Sequence, residues 1–357
     1  MLNIQLSDVA TWSQAVLPVA RGGLGVRLAS DIALPAFLSS VAGSAHLALQ
    51  ILPQRLHKSA GIDDDLYKAA ISKWQTRCGT PPPEPPPNAE AQKAWDGPMV
   101  NASVERLMLA ATTQAGLARL TAAASPHAGA FLNAIPCSSV GTRLDDSSLR
   151  IAVALRLGAP ICAPHTCICG AAVDASGTHG LSCRKSAGRH ARHSAVNEII
   201  KRALASADVP SRLEPSSLSR TDGKRPDGLT TAPWREGRCL VWDFTCPDTL
   251  AASHLDRAVA GPGAVATEAE SRKREKYVAL SASYYFVPIA IETLGALGED
   301  AAAFMKDLGR RVGAATREPR SSAFLMQRLS VAIQRGNAAS VAGTSSLHSR
   351  LDEIFYI

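Results

Sequence analysis

Two sets of residues in this chain have types and spacings that chemistry can use. The first is Cys167, Cys169, His179 and Cys183, which read Cys-x-Cys, nine residues, His, three residues, Cys. Three thiolates and one imidazole satisfy tetrahedral zinc, and four protein ligands leave no open position for water, so such a metal is structural. Gly170, Gly177 and Gly180 give the intervening chain the freedom to turn back. Cys-x-Cys is tighter than the usual Cys-x2-Cys, so Cys162 or His165 stands as an alternative ligand. Four buried or free side chains without metal are the plainer alternative.

The second set is two carboxylates and a cation. Arg225-Pro226-Asp227 opens an expected strand, and Asp243 lies on the next, with fifteen residues between the two aspartates. Adjacent antiparallel strands can bring both carboxylates to one sheet edge. Mg²⁺ or Mn²⁺ suits such oxygen ligands, polarises a phosphodiester and acidifies the attacking water. Asp243 sits among Val241, Trp242 and Phe244, where a carboxylate is costly unless exposed or paired. In the helix expected after it, Ala269, Lys273, Lys276, Tyr277 and Leu280 recur on one face. Lys273 or Lys276 would then stabilise charge developing on phosphorus or orient the water. The plainer alternative has Lys273 snorkelling and Lys276 solvated. Glu198 is a possible third carboxylate, with a solvated role as its alternative.

Charge around the cysteines is lopsided. Residues 184–202 hold Arg184, Lys185, Arg189, Arg192, Lys201 and Arg202, with His190 and His193, against Glu198 as the one acid. That pattern suits phosphate contacts by the first four, or else a solvated helix face. The whole chain has 38 Lys and Arg against 31 Asp and Glu, a net +7 that favours an anionic partner such as nucleic acid. With 46% hydrophobic and 19% charged residues, the chain is too apolar to be disordered. Residues 1–12 lack the basic start and apolar core of a secretory signal, so a reducing compartment is expected and the crowded cysteines point to metal rather than disulfides.

The elements that must position these residues read as α+β. Residues 1–160 form a mostly helical region with a proline-rich loop at 81–87, residues 161–187 a zinc knuckle, residues 188–295 an α/β core, and residues 296–357 two helices and a loose tail from 340. The core reads helix (188–207), short strands at 212–214 and 227–231, a clear strand at 239–245, a helix at 265–281 and an apolar strand at 284–291, whose Pro288 marks an edge or an end. The apolar stretch 32–54 is long enough for a membrane span, but it carries Ser39, Ser40, Ser44, His46 and two prolines. Buried helices and no membrane are therefore the expectation.

The segment from Cys167 to about Ala290 resembles the restriction-like endonuclease of non-LTR retrotransposons. That family joins a CCHC knuckle, a Lys/Arg-Pro-Asp motif, a second acidic residue on a strand, and a helix bearing lysines and a tyrosine. Here these match Cys167, Cys169, His179 and Cys183, then Arg225-Pro226-Asp227, Asp243, and Lys273, Lys276 and Tyr277. The resemblance implies a PD-(D/E)xK core, structural zinc, catalytic Mg²⁺ or Mn²⁺, and nuclear location. It further implies DNA, and the RNA of a parent element, as partners in a nick that primes reverse transcription. Residues 12–27, with Leu17-Pro18 and Gly22-Gly23-Leu24-Gly25, look like the region after the polymerase thumb. Thr245 stands where the general fold carries lysine, which directs the cation role to the helix. Asp63-Asp64-Asp65 and Asp145-Asp146 lack the aromatic-x-Asp-Asp context of a reverse transcriptase, so a polymerase partner is expected and the chain reads as a terminal piece of an element, intact or decayed. Two readings of another class remain: a nucleic-acid-binding module without chemistry, and a domesticated helical interaction protein using residues 1–150.

Overall fold

The computed structural model describes residues 4, 6, 8–59, 64–83, 91–186, 188–218 and 225–345. The chain forms two units, Asp8–Ala111 on the one hand and Thr112–Ile357 with Met1–Ser7 on the other. Among the described residues the architecture is α+β.

The smaller unit is helical: α1 (Val9–Ala15), α2 (Ala29–Ile51), α3 (Asp65–Cys78) and α4 (Gln92–Leu109). Its core gathers Leu38, Tyr67, Trp74 and Trp95. The two indoles meet edge to face at 5.1 Å, and Trp74 Nε1 donates to the Trp95 carbonyl at 2.9 Å, which satisfies a buried donor. Helix α2 is a single helix with Pro35 inside it, and only Pro35, Leu38 and Ser39 along it are buried. By length and composition it could cross a membrane. The expectation of buried helices at 32–54 is therefore met at few positions, because an apolar composition does not supply a partner surface. Residues 84–87 of the proline-rich loop lie outside the described residues, as does Asp63.

The larger unit begins with α5 (Gln114–Ala123) and α6 (Asp146–Leu157). Asp145 caps α6 by accepting from the Ser148 amide at 2.9 Å, and Gly158 ends it in the left-handed region. A two-stranded hairpin, β1 (His165–Thr166) and β2 (Ala172–Val173), leads to the short α7 (His179–Ser182) and to α8 (Gly188–Ser206). Then come β3 (Ser211–Leu213), β4 (Gly228–Arg235), β5 (Arg238–Thr245), α9 (Leu255–Ala260), α10 (Ala264–Lys276), β6 (Tyr285–Ala290), α11 (Glu299–Thr316) and α12 (Ser321–Ala342). The sheet order is β3-β4-β5-β6, antiparallel except for the parallel pair β5–β6. Strand β6 is an edge, which accommodates Pro288.

Alternation along the strands divides the sheet into two faces. Leu240, Trp242 and Phe244, with Val287 and Ile289, join Ile200 and Leu204 of α8, Phe304 and Leu308 of α11, and Leu329 and Ile333 of α12 in the main core. The other face carries Asp243 and Ala290 under α10, whose Ala266 and Ala269 pack on Ala290.

Three boundaries differ from the sequence reading. Residues 112–160 belong to the larger unit, because Ile151, Ala154 and Leu155 of α6 share a cluster with Ala338 and Val341 of α12. The helix expected over 265–281 stops at Lys276 and gives way to a 3-10 turn at Val278–Ala282. Residues 340–342, read as tail, continue α12, and Ser340 and Val341 are buried there. Residues 346–348 lie outside the described residues.

Helix α8 approaches α12 at backbone distance. A Cβ on Gly188 would overlap the Gly336 carbonyl and the Ser340 amide, neither of which can yield. Gly188→Ala is expected to lower the denaturation midpoint in urea, by about 1–3 kcal/mol of stability. Gly313→Ala in α11, where a Cβ would meet only the Glu318 carbonyl at an ordinary 3.4 Å, is expected to raise it by about 1 kcal/mol. Equal midpoints for the two variants would refute the close-approach argument.

Candidate functional site

The cysteine cluster is built by local chain geometry. Cys167 follows β1, Cys169 lies in the hairpin turn, His179 begins α7, and Cys183 caps its end. The four ligand atoms lie within 4.8 Å of one another. Cys167 Sγ is 3.8 Å from Cys183 Sγ, and Cys169 Sγ is 3.2 Å from His179 Nε2. A tetrahedron with metal–sulfur bonds of about 2.3 Å has edges near ~3.8 Å, so the sulfur spacing matches that of ligands around one ion. Burial pushes the Cys167 thiol up. The Ala171 amide, the largest influence, brings Cys169 down to about 6, which favours the thiolate that binds metal. The alternative ligands fall outside the cluster. His165 turns its Nε2 to Thr344 Oγ1 at 2.9 Å, and Cys162 Sγ faces the Asp174 carbonyl at 3.5 Å.

The carboxylate site lies where β4 and β5 pair. Gly228 faces Trp242 across the ladder, and the Asp227 amide donates to the Trp242 carbonyl at 3.0 Å. A Cβ on Gly228 would overlap the Trp242 ring, so glycine lets the indole lie across the strand. Asp227 Oδ2 accepts from the Phe244 amide at 2.6 Å, which sets this carboxylate beside the residue that follows Asp243. Asp243 is 3% exposed and pairs with Lys273 Nζ. Burial of this carboxylate is thus matched by a cation, as its apolar flanks require.

Helix α10 holds Lys273 in place through two buried glutamates. Glu292 accepts from the Ala266 amide at 3.3 Å, in the first turn of α10. Glu270, one turn before Lys273, accepts from the Ala301, Asp300 and Ala290 amides at 2.9, 3.0 and 3.3 Å, so it caps α11 and ties α10 to β6. Burial pushes Glu270 up to about 7, although these three amides pull the other way.

His193 on α8 completes the group. Its Nε2 is 3.1 Å from Asp227 Oδ2, its ring packs on Phe244 at 5.6 Å, and Asn197 is 3.3 Å from its Nδ1. Asn197 Oδ1 in turn accepts from Trp242 Nε1 at 3.0 Å, so one helix turn reads the strand and orients the imidazole. Sequence reasoning counted His193 only as positive charge. The available signal was the His193-x3-Asn197 spacing, which places both residues on the face of α8 that carries Val196 and Ile200.

Other expected site residues lie elsewhere. Lys276 donates to the Tyr277 hydroxyl at 2.9 Å and sits over its ring, while Tyr277 is buried against Phe286. Lys276 is the last residue of α10 and Tyr277 its C-cap, and the two side chains pair with each other. Glu198 points to Lys201 and Arg202, each at 3.8 Å, so its role is the solvated one. Arg192 is 2% exposed and donates to Asn337 Oδ1 at 2.6 Å, a buried link between α8 and α12, and it also lines the cleft beside Phe244 and Thr245. Arg184, Lys185 and Arg189 are exposed. Arg184, Arg189, His190, His193 and Lys273 line one cleft of about 450 Å³ beside Phe244 and Thr245.

No protein-family model matches the chain, and a search of curated proteins finds no relative.

The Asp227 hydrogen bond raises the His193 pKa, against burial. The pair therefore stabilises the fold fully below His193's ordinary value of about 6.5, and that contribution fades as pH rises through the raised folded value. In NMR titrations without added Mg²⁺ or Mn²⁺, His193 is expected to titrate above ordinary histidine and Asp227→Asn to lower it. A His193 value unmoved by Asp227→Asn would contradict the pairing.

Proposed function

We propose that the larger unit is a zinc-stapled, metal-dependent endonuclease of the restriction-like type that nicks DNA. The observation that carries the reading is Lys273 on Asp243 with Asp227 held beside it on the Phe244 amide. Asp227 Oδ1 and Asp243 Oδ2 have no partner among the described residues. Two such carboxylate oxygens are the hard donors that Mg²⁺ or Mn²⁺ takes. A divalent ion held there supplies Lewis acidity toward a phosphodiester and acidifies a water.

The chain's own residues do the rest. Lys273 neutralises Asp243. With substrate bound, its ammonium is placed to donate to a phosphate oxygen as charge develops there. His193 orients Asp227 through the Oδ2 contact, and Asp227 with Asp243 would hold the ion. Arg184, Arg189 and His190 on the cleft rim hold backbone phosphates, which fixes the strand without reading its sequence. The Cys167, Cys169, His179 and Cys183 cluster holds a structural zinc with no open position.

The resemblance to non-LTR retrotransposon endonucleases extends the reading. The nick primes reverse transcription in the nucleus, with DNA as substrate, the parent element's RNA as a further ligand and a reverse transcriptase as partner. A nucleic-acid-binding module without chemistry is the second reading, and the basic rim alone would serve it.

Supercoiled plasmid with Mg²⁺ or Mn²⁺ tests the reading. The parent and Lys276→Ala are expected to nick it, and Asp243→Ala and Lys273→Met to lose at least about a hundredfold, the scale of a lost electrostatic contact. Elemental analysis is expected to find one zinc per chain, retained in Asp243→Ala and lost in Cys183→Ser. Negligible nicking by the parent with DNA binding retained would favour the module.

A further inference from the structure

The larger unit has a second basic cleft that shares no lining residue with the one at Lys273. It lies between α8, α12 and the loop around Ser139, with a volume of about 480 Å³. Ala195, Ile199 and Arg202 line it from α8 at i, i+4, i+7 spacing. On α12, Phe324, Arg328, Ala332 and Arg335 continue one face at i, i+4, i+8, i+11.

Three guanidiniums face this space against a single carboxylate, Glu198. Arg335 is engaged: its Nη2 donates to the Arg143 carbonyl at 2.7 Å and so holds the loop. Arg202 reaches Glu198 only at 3.8 Å. Arg328 has no ion pair or hydrogen bond among the described residues and lies 5.9 Å from the Phe324 ring. Burial, and then Arg202, push its pKa down. A partly buried guanidinium beside a like charge is unfavourable unless an anion closes the site.

The floor narrows the kind of anion. Phe324 is 39% exposed, and Val140 and Ile199 extend the apolar surface beside it. Inorganic phosphate would leave that surface wet, a phosphorylated peptide brings no obligatory planar face, and a duplex keeps its bases stacked. We propose that the cleft binds a single nucleic-acid strand, with its phosphodiester backbone on Arg202 and Arg328 and one base stacked on Phe324. This goes beyond the nuclease reading and does not depend on it.

The test is anisotropy of a fluorescein-labelled oligothymidine with the full chain, without added Mg²⁺ or Mn²⁺, over a salt series. Phe324→Ala is expected to weaken binding about tenfold with the salt slope unchanged. Arg328→Gln is expected to weaken it and to reduce the slope of log affinity against log salt by about 0.7. Parental affinity and slope in both variants would overturn the proposal. So would an Arg328→Gln protein that loses inorganic phosphate or a phosphopeptide while binding the strand as before. Should circular dichroism show a variant misfolded, photo-cross-linking of the strand to the parent decides. Cross-links on the peptide bearing Phe324 support the cleft, and cross-links confined to the region around Arg184 and Arg189 overturn it. A failure of the nuclease reading would appear in nicking and leave these results untouched.

Discussion

Helix α12 is buried along most of its length from Leu325 to Val341, and its neighbours must approach it closely. Helix α8 does so through Gly188, and α7 through Gly180, where a Cβ would stand 2.7 Å from the Ser340 carbonyl. Interiors packed at crystal density leave no slack for such contacts to drift. The buried Arg192 guanidinium crosses the same seam to Asn337, whose amide also reaches the Thr293 carbonyl at 2.6 Å. Because α8 carries His193 and α7 begins at His179 and is capped by Cys183, one helix sets the position of both.

From that frame the carboxylate site follows by electrostatics. Trp242 is clamped between Gly228 and Asn197, which fixes β4 against β5 and brings Asp227 to the Phe244 amide. On the opposite face Asp243 is buried and would be untenable as a lone charge. Lys273 supplies the counter-charge from a helix whose first turn and middle are pinned by Glu292 and Glu270. Two faces of one sheet thus deliver a histidine and a lysine to neighbouring carboxylates.

Much of this was legible in sequence where the determinants are local. The cysteine spacing places four ligands within one hairpin and one helix turn. Asp243 stands out because its neighbours along β5 are apolar. Strand β5 and helix α8 follow their periods with few exceptions. What was illegible depends on distant packing. Arg192 reads as one more surface cation until α12 covers it. His193 reads as charge until β4 supplies Asp227. The end of α12 reads as tail because Ala, Ser and Gly carry little apolar signal, yet small residues are what close approach demands. Tyr277 and Leu280 were aligned with Lys273 by extending a helical period past Lys276, where the helix stops.

The account rests on Asp227 and Asp243 sharing one divalent ion. The most direct measurement is a crystal structure of the full chain grown with Mn²⁺, read by anomalous scattering. The account predicts a manganese peak within about 2.1 Å of an oxygen of each carboxylate. Manganese bound elsewhere, with none on these two carboxylates, would contradict it.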